Sequence, residues 1–375
     1  MTIITIALII QSIILVVFEI LSYRQRLRFK NNKDGIVYKE DMLFSNVDVI
    51  IAAKEDLFVI KRCLDSVSRF KFNRIFICLD NEDNSHMTEV LSKEYPEIVI
   101  LANEKSLGKI KSQIKCIQQS GKDVILVLDA DISLIDNEVE AFVNYYFEKN
   151  TDFLCPYSQG EYISVNNILM GIAETDRIMR QRIVRAGRDV FGVSNLSGYC
   201  LLANKQKYLD IIDTDAVQDD VIATINLFKK GFKVDTYHSV VCKEIERTSI
   251  KSYLLQKTRW TAGNIMLIKS YPKLFKTIGI VRALVFCSSF LLWYWALWID
   301  FIAMVFAFFN STICIYLGTE FIIKYVGVLL THHSCFKMKL NYLIYVFVWP
   351  LLSFICLILS PYYLKGLIKD KETRR

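Results

Sequence analysis

Glycine and proline are scarce in this chain, at 14 and 5 of 375 residues, which excludes collagen-like and low-complexity classes. The ten cysteines include no pair at C-x-x-C spacing, so neither a zinc site nor a redox motif is signalled. Scattered through apolar stretches, they read as reduced core thiols. His332 and His333 lack a third partner at ligand spacing. No G-x-G-x-x-G or G-x-x-x-x-G-K-[ST] follows a strand, which removes support for dinucleotide and P-loop folds. Disorder is excluded as well, because 53% of the residues are hydrophobic and the net charge is only +7. What remains is a mean hydropathy of +0.30 beside an ordinary charged fraction of 23%. That combination points to a polar soluble part joined to apolar segments with few charges.

The charge-poor segments lie at the two ends. Ile3 to Phe18 carries no charge, Glu19 is the one charge before Arg24, and Arg24, Arg26, Arg28, Lys30 and Lys33 follow this run of about twenty residues. The run is long enough to span a bilayer, and its basic flank faces the cytoplasm. No basic segment precedes it and no small-x-small site ends it, so a cleaved signal peptide is disfavoured. Further apolar runs cover 278–309, 312–330 and 340–364, and Glu320 and Lys324 are spaced to pair on one helix face. The division expected is a transmembrane helix at 1–23, a cytosolic domain at 24–250, an interfacial segment at 251–277, transmembrane helices at 278–364 and a basic cytosolic tail at 365–375. The whole is a multi-pass protein of the plasma membrane.

Between the ends, short β-branched runs alternate with helical stretches: 47–53, 74–79, 98–101 and 123–128 as strands, and 57–69, 87–94 and 109–119 as helices. In such an open α/β sheet, ligands bind beyond the carboxyl ends of the strands. Carboxylates recur there: Glu55 after the first strand, Asp80 after the second, Asp129 and Asp131 after the fourth. Residues i and i+2 of an extended segment share a face, so Asp129 and Asp131 can reach one divalent ion. Hard oxygen ligands suit Mg²⁺ or Mn²⁺ bound together with substrate phosphates.

Taken in order, Asp80, Asp129-Ala130-Asp131, Asp220 and Gln256-x-x-Arg259-Trp260 resemble the D, D-x-D, D, Q-x-x-R-W signature of membrane-embedded family 2 glycosyltransferases. That group includes the hyaluronan, cellulose, chitin and capsular polysaccharide synthases and the ceramide glucosyltransferases. The resemblance implies a GT-A fold and inverting transfer of a hexosyl or N-acetylhexosaminyl group from a UDP-sugar. It implies that Glu55, together with Asp80 or Asp83, contacts the uridine. Asp129 and Asp131 hold the donor diphosphate through the metal, and Lys109, after Gly108, touches that diphosphate. It makes Asp220 the base, lets Gln256, Arg259 and Trp260 clamp the diphosphate and the acceptor sugar, and matches Ser197 and Gly198 to the acceptor-side loop. Two departures stand out: the family's T-E-D reads Gln218-Asp219-Asp220, and its D-D-G-S reads Asp80-Asn81-Glu82-Asp83.

The residue chemistry is compatible with those roles. Inversion needs one acceptor-side base. The leaving diphosphate builds negative charge that a cation and an arginine fork can stabilise. From Lys251 to Lys276 basic and aromatic residues mix without any acid, as in a helix lying on an anionic leaflet. Arg177, Arg180, Arg182, Arg185 and Arg188 are expected to form a salt-laced solvated face. The leading expectation is processive synthesis and export of a polysaccharide. The alternatives are single addition to a membrane lipid and a non-catalytic transporter or receptor. The expected partners are the UDP-sugar, the polysaccharide or lipid acceptor and the bilayer, with no nucleic acid.

Overall fold

The computed structural model describes residues 2–33, 43–80, 84–162, 167–214, 219–267, 271–290, 296–331 and most of 348–365. In chain order the elements are α1 (Thr2–Lys33), β1 (Val47–Ala53), α2 (Leu57–Val67), β2 (Arg74–Leu79), α3 (Ser85–Glu94), β3 (Val99–Ala102), α4 (Lys109–Gln119), β4 (Val124–Asp129), β5 (Ile132–Leu134) and α5 (Asp136–Lys149). They continue with β6 (Phe153–Glu161), α6 (Asn167–Ile178), a π-helical turn (Met179–Arg185), α7 (Ala186–Asp189), β7 (Cys200–Asn204), α8 (Lys205–Leu209), α9 (Asp219–Lys230) and β8 (Val234–Ile245). The helices α10 (Ile250–Leu267), α11 (Tyr271–Ile278), α12 (Ile280–Phe290), α13 (Ala296–Ala307) and α14 (Ser311–Thr331) follow.

The chain forms two compact units. One takes Arg28–Glu161 and Ser194–Ile245; the other takes Met1–Leu27, Tyr162–Val193 and Glu246–Arg375. Residues 162–193 therefore group with the apolar helices and not with the strands.

The strand-bearing unit is built on an 8-stranded sheet of order β3-β2-β1-β4-β7-β6-β8-β5. The near-continuous apolar runs of β1, β2 and β4 suit strands covered on both faces; β1 pairs in parallel with β2 and β4, and β2 with β3. At β4 the sheet changes sense, because β7 pairs antiparallel to it with Leu128 opposite Cys200. The parallel register sets Ala53 beside Leu79 and Ala52 beside Asp129. Glu55, Asp80, Asp129 and Asp131 consequently emerge at one sheet edge. Asp56 caps α2 by accepting from the Val59 N–H at 3.1 Å, while Gly108, at φ +87°, turns the chain into α4.

The other unit is helical. Its core joins Leu8, Leu15 and Phe18 of α1 to Leu169 and Ile172 of α6, Tyr253 of α10 and Leu317 and Phe321 of α14. The buried positions of α1, from Leu8 through Gln11, Leu15 and Phe18 to Ser22, follow the spacing of one helix face. Ile3, Ile6, Ile10, Ile13, Val17 and Ile20 form a second, exposed apolar face. Among the described residues, Thr2–Lys30 is the one helix long and apolar enough to cross a membrane. The apolar stretch 278–309 holds two short helices, α12 and α13. Much of the expected span at 340–364 lies outside the described residues, as do His332, His333 and the basic tail.

The expectation for the arginine stripe is corrected here. Arg177, Arg185 and Arg188 are buried, because α6 and the π-helical turn run through the apolar core of this unit. Arg177 pairs with Glu174 and Glu246, Arg180 with Asp176 at 3.0 Å, and Arg188 lies over the ring of Phe286. Glu320 and Lys324 do pair, at 2.7 Å, and Asp300 of α13 and Gln11 of α1 complete that buried cluster.

Candidate active site

Asp80 is buried at the end of β2, and all of its acceptor capacity is taken up locally. Its Oδ1 accepts from Asn103 Nδ2 and the Leu107 N–H, both at 2.7 Å. Its Oδ2 accepts from Ser106 Oγ and the Gly108 N–H, both at 2.9 Å. Burial raises its pKa, but these four hydrogen bonds outweigh burial and hold the carboxyl below its ordinary range. Asp80 thus organises the loop leading into α4, and its carboxylate is directed at that loop. Asn81, Glu82 and Asp83 lie outside the described residues.

The loop delivers Lys109 to the acidic edge. Its Nζ lies 2.5 Å from Asp129 Oδ1 and 3.7 Å from Asp219 Oδ2, and donates to the Gly198 carbonyl at 2.9 Å. Burial lowers the Lys109 pKa, but the Asp129 and Asp219 carboxylates outweigh it and raise the pKa. Asp129 is raised to about 6 by burial, with Asp219 and Glu244 adding to the effect and Lys109 opposing it. Glu244 stands on β8 opposite Ile132, one residue beyond Asp131.

The loop that leads into β7 is fastened to the same edge. The Asp129 N–H donates to the Tyr199 carbonyl, Leu196 N–H to Thr224 Oγ1, and Thr224 Oγ1 to the Asp220 carbonyl. Ser197 turns its hydroxyl inward to the Cys200 carbonyl. Asp219 and Asp220 open α9, where a helix N-terminus favours negative charge, and Lys229 and Lys230 close it. An open hollow of about 330 Å³ is lined by Lys109, Ser197, Gly198, Tyr208, Asp219 and Asp220, among others. Glu55 follows β1, and its Oε2 accepts the Lys54 N–H at 2.8 Å.

The strand-bearing unit therefore brings together Lys109, Asp129, Gly198 and Asp220 from separate parts of the sequence. It also adds Asp219, whose signal was the carboxylate retained in the middle of the departed motif; Gln218 lies outside the described residues. Gln256, Arg259 and Trp260 lie on α10 of the helical unit. There the Trp260 ring faces Lys257 Nζ at 3.9 Å and Arg180 Cζ at 4.8 Å.

The donor set suits a hard divalent cation, since Asp129 and Asp219 crowd one edge with Lys109 beside both. Among the described residues no group of three or more His, Cys, Asp and Glu side chains gathers at metal spacing. An ion held by one or two carboxylates takes its other ligands from phosphate and water.

Comparison with known proteins agrees with this geometry. The model of the glycosyl transferase family group 2 matches residues 124–364. An N-acetylglucosaminyltransferase of Neorhizobium galegae is 25% identical over 236 residues, covering 57% of this chain and 54% of that protein. The probable glycosyltransferase YdaM of Bacillus subtilis is 23% identical over 273 residues, covering 68% and 63%. The match spans about half the length of the first of these relatives. The solved mannosyltransferase PcManGT of Pyrobaculum calidifontis, in complex with GDP-Man and Mn²⁺, shares the fold with a TM-score of 0.55. It is 13% identical, covering 93% of this chain and 99% of its own. The strand-bearing unit has the GT-A-like fold of nucleotide-sugar transferases, and the chain belongs to glycosyl transferase family group 2.

Proposed function

We propose that the protein is an inverting, metal-dependent glycosyltransferase that moves a sugar from a UDP-sugar onto a growing polysaccharide at the membrane and exports it processively. The observation that carries this reading is the acidic edge at the end of β4, where Asp129 stands beside Lys109 and Asp219, and Lys109 shares the wall of the hollow with Asp219 and Asp220. N-acetylglucosamine is the first donor sugar to test, because several relatives are named for its transfer.

In this reading Asp129 and Asp131 hold Mg²⁺ or Mn²⁺, which offsets the charge that builds on the departing diphosphate. Lys109 adds a fixed positive charge beside them, and Arg259 supplies a two-pronged donor to phosphate oxygens. Asp220, opening α9 on the wall of the hollow, takes the proton of the attacking acceptor hydroxyl. Asp80 serves the donor indirectly, by shaping the loop that carries Lys109. Ser197 and Gly198 line the hollow that takes the acceptor, and Gln256 and Trp260 keep the acceptor contacts that the resemblance implies. The domain boundaries proposed are those expected from the sequence. The exposed apolar face of α1, and the apolar stretches beyond α10, support a multi-pass arrangement in lipid with the catalytic unit in the cytosol.

Purified protein in lipid nanodiscs, given labelled UDP-N-acetylglucosamine and Mn²⁺, should yield a ladder of long products and free UDP. Chelator should abolish both, and Asp220→Asn should reduce turnover at least a hundredfold. One short glycolipid in place of a ladder would select single addition to a lipid. Full turnover in chelator would overturn the metal role.

A further inference from the structure

In the helical unit, one carboxylate organises the surroundings of the partly buried Trp260. Asp176, on α6, is buried. Its Oδ2 receives Lys257 Nζ at 2.5 Å and Arg180 Nε at 3.0 Å. Both cations then meet the indole of Trp260, Lys257 at 3.9 Å and Arg180 at 4.8 Å from the ring centroid. Trp260 and Lys257 share α10, whereas Arg180 belongs to the π-helical turn that follows α6. Such turns are rare and commonly accompany functional sites. Burying a carboxylate with two cations is costly unless the geometry is well satisfied, and Asp176 Oδ1 finds no hydrogen-bond partner among the described residues. An apolar core would serve stability better, which leaves the arrangement in need of another explanation.

We propose that Asp176 is a positioning residue for Trp260: by fixing Lys257 and Arg180 it sets the orientation of the indole that receives the acceptor sugar. A lysine side chain has many rotamers and settles over an aromatic face only when its ammonium is tethered. Asp176 is that tether, and the same oxygen directs Arg180 to the same ring. The acceptor role of Trp260 rests on the function proposed above; the control of its orientation by Asp176 does not.

The test keeps these two apart. The full-length protein is labelled with 5-fluorotryptophan, and the resonance of Trp260 is assigned from the one lost in Trp260→Phe. Asp176→Asn should move or broaden that resonance and lower kcat/KM for the acceptor at least tenfold, with the donor KM changed less than twofold. Because Asp176→Asn leaves Lys257 buried without its counter-ion, Asp176→Asn/Lys257→Met is the second variant. It should recover the thermal stability of the parent while the acceptor kcat/KM stays low. Recovery of acceptor kcat/KM in the double variant would reduce Asp176 to a structural role and overturn the proposal. An unmoved Trp260 resonance in a folded Asp176→Asn would overturn it too. Were the parent inactive toward every nucleotide sugar, the functional reading would fall and the resonance alone would still decide the positioning.

Discussion

Asp80 shows how a residue can be placed correctly by its sequence position while the contacts it makes stay hidden. Its location after β2 was readable from the alternation of strands and helices. Its four hydrogen bonds were not, because Asn103, Ser106, Leu107 and Gly108 lie more than twenty residues away and nothing in their spacing points back to Asp80. Replacing it by Asn turns an acceptor-only group into one that presents an N–H toward other N–H donors. Asp80→Asn should destabilise the protein by about 1–3 kcal/mol in thermal unfolding and raise the donor KM several-fold with a smaller effect on kcat. The pH dependence has a definite sign. With its folded-state pKa depressed, Asp80 contributes stability above the ordinary carboxylate range, and the contribution is lost as pH falls through the folded value.

Among the elements, the strands were legible because buried parallel strands are written as apolar runs, and the first four stand close to their expected limits. The arginine stripe misled for a physical reason: a charged helix face reads as solvated unless its neighbours are known, and here α1, α10 and α14 contribute to the core around it. Two contacts test that helical core. A methyl group on Gly187 would approach Phe18 Cδ1 to 2.5 Å, so Gly187→Ala should cost about 1–3 kcal/mol and Phe18→Leu should restore part of it. Lys324 is shared by Asp300 and Glu320, so Lys324→Met leaves two buried carboxylates without their cation. A loss of about 3–5 kcal/mol is expected in thermal unfolding of the nanodisc-held protein. The i,i+4 half of that cluster was visible in the sequence; Gln11 and Asp300 come from distant helices and carried no signal.

For the molecule as a whole, titration should report the buried ion network. Burial lowers Lys257 to about 7, Arg180 and Arg177 push in the same direction, and Asp176 opposes them. Tyr253 and Trp260 present their rings to the same ammonium, and Cys356 also lies nearby. The unfolded chain therefore binds more protons than the folded one between that value and the ordinary lysine range. Stability should rise with pH across this window, by at most about 1.4 kcal/mol per unit, and the slope should flatten in Lys257→Met. Unfolding midpoints measured from pH 7 to 10 check this. The discontinuity of the strand-bearing unit has a consequence for biosynthesis. The ribosome releases β6 well before either of its partners, β7 and β8, and meanwhile emits a segment that belongs to the other unit. At about 5–20 residues per second, β6 waits for some seconds with both edges unpaired. Nascent chains stalled between Glu161 and Cys200 should be the stage at which chaperones are most needed.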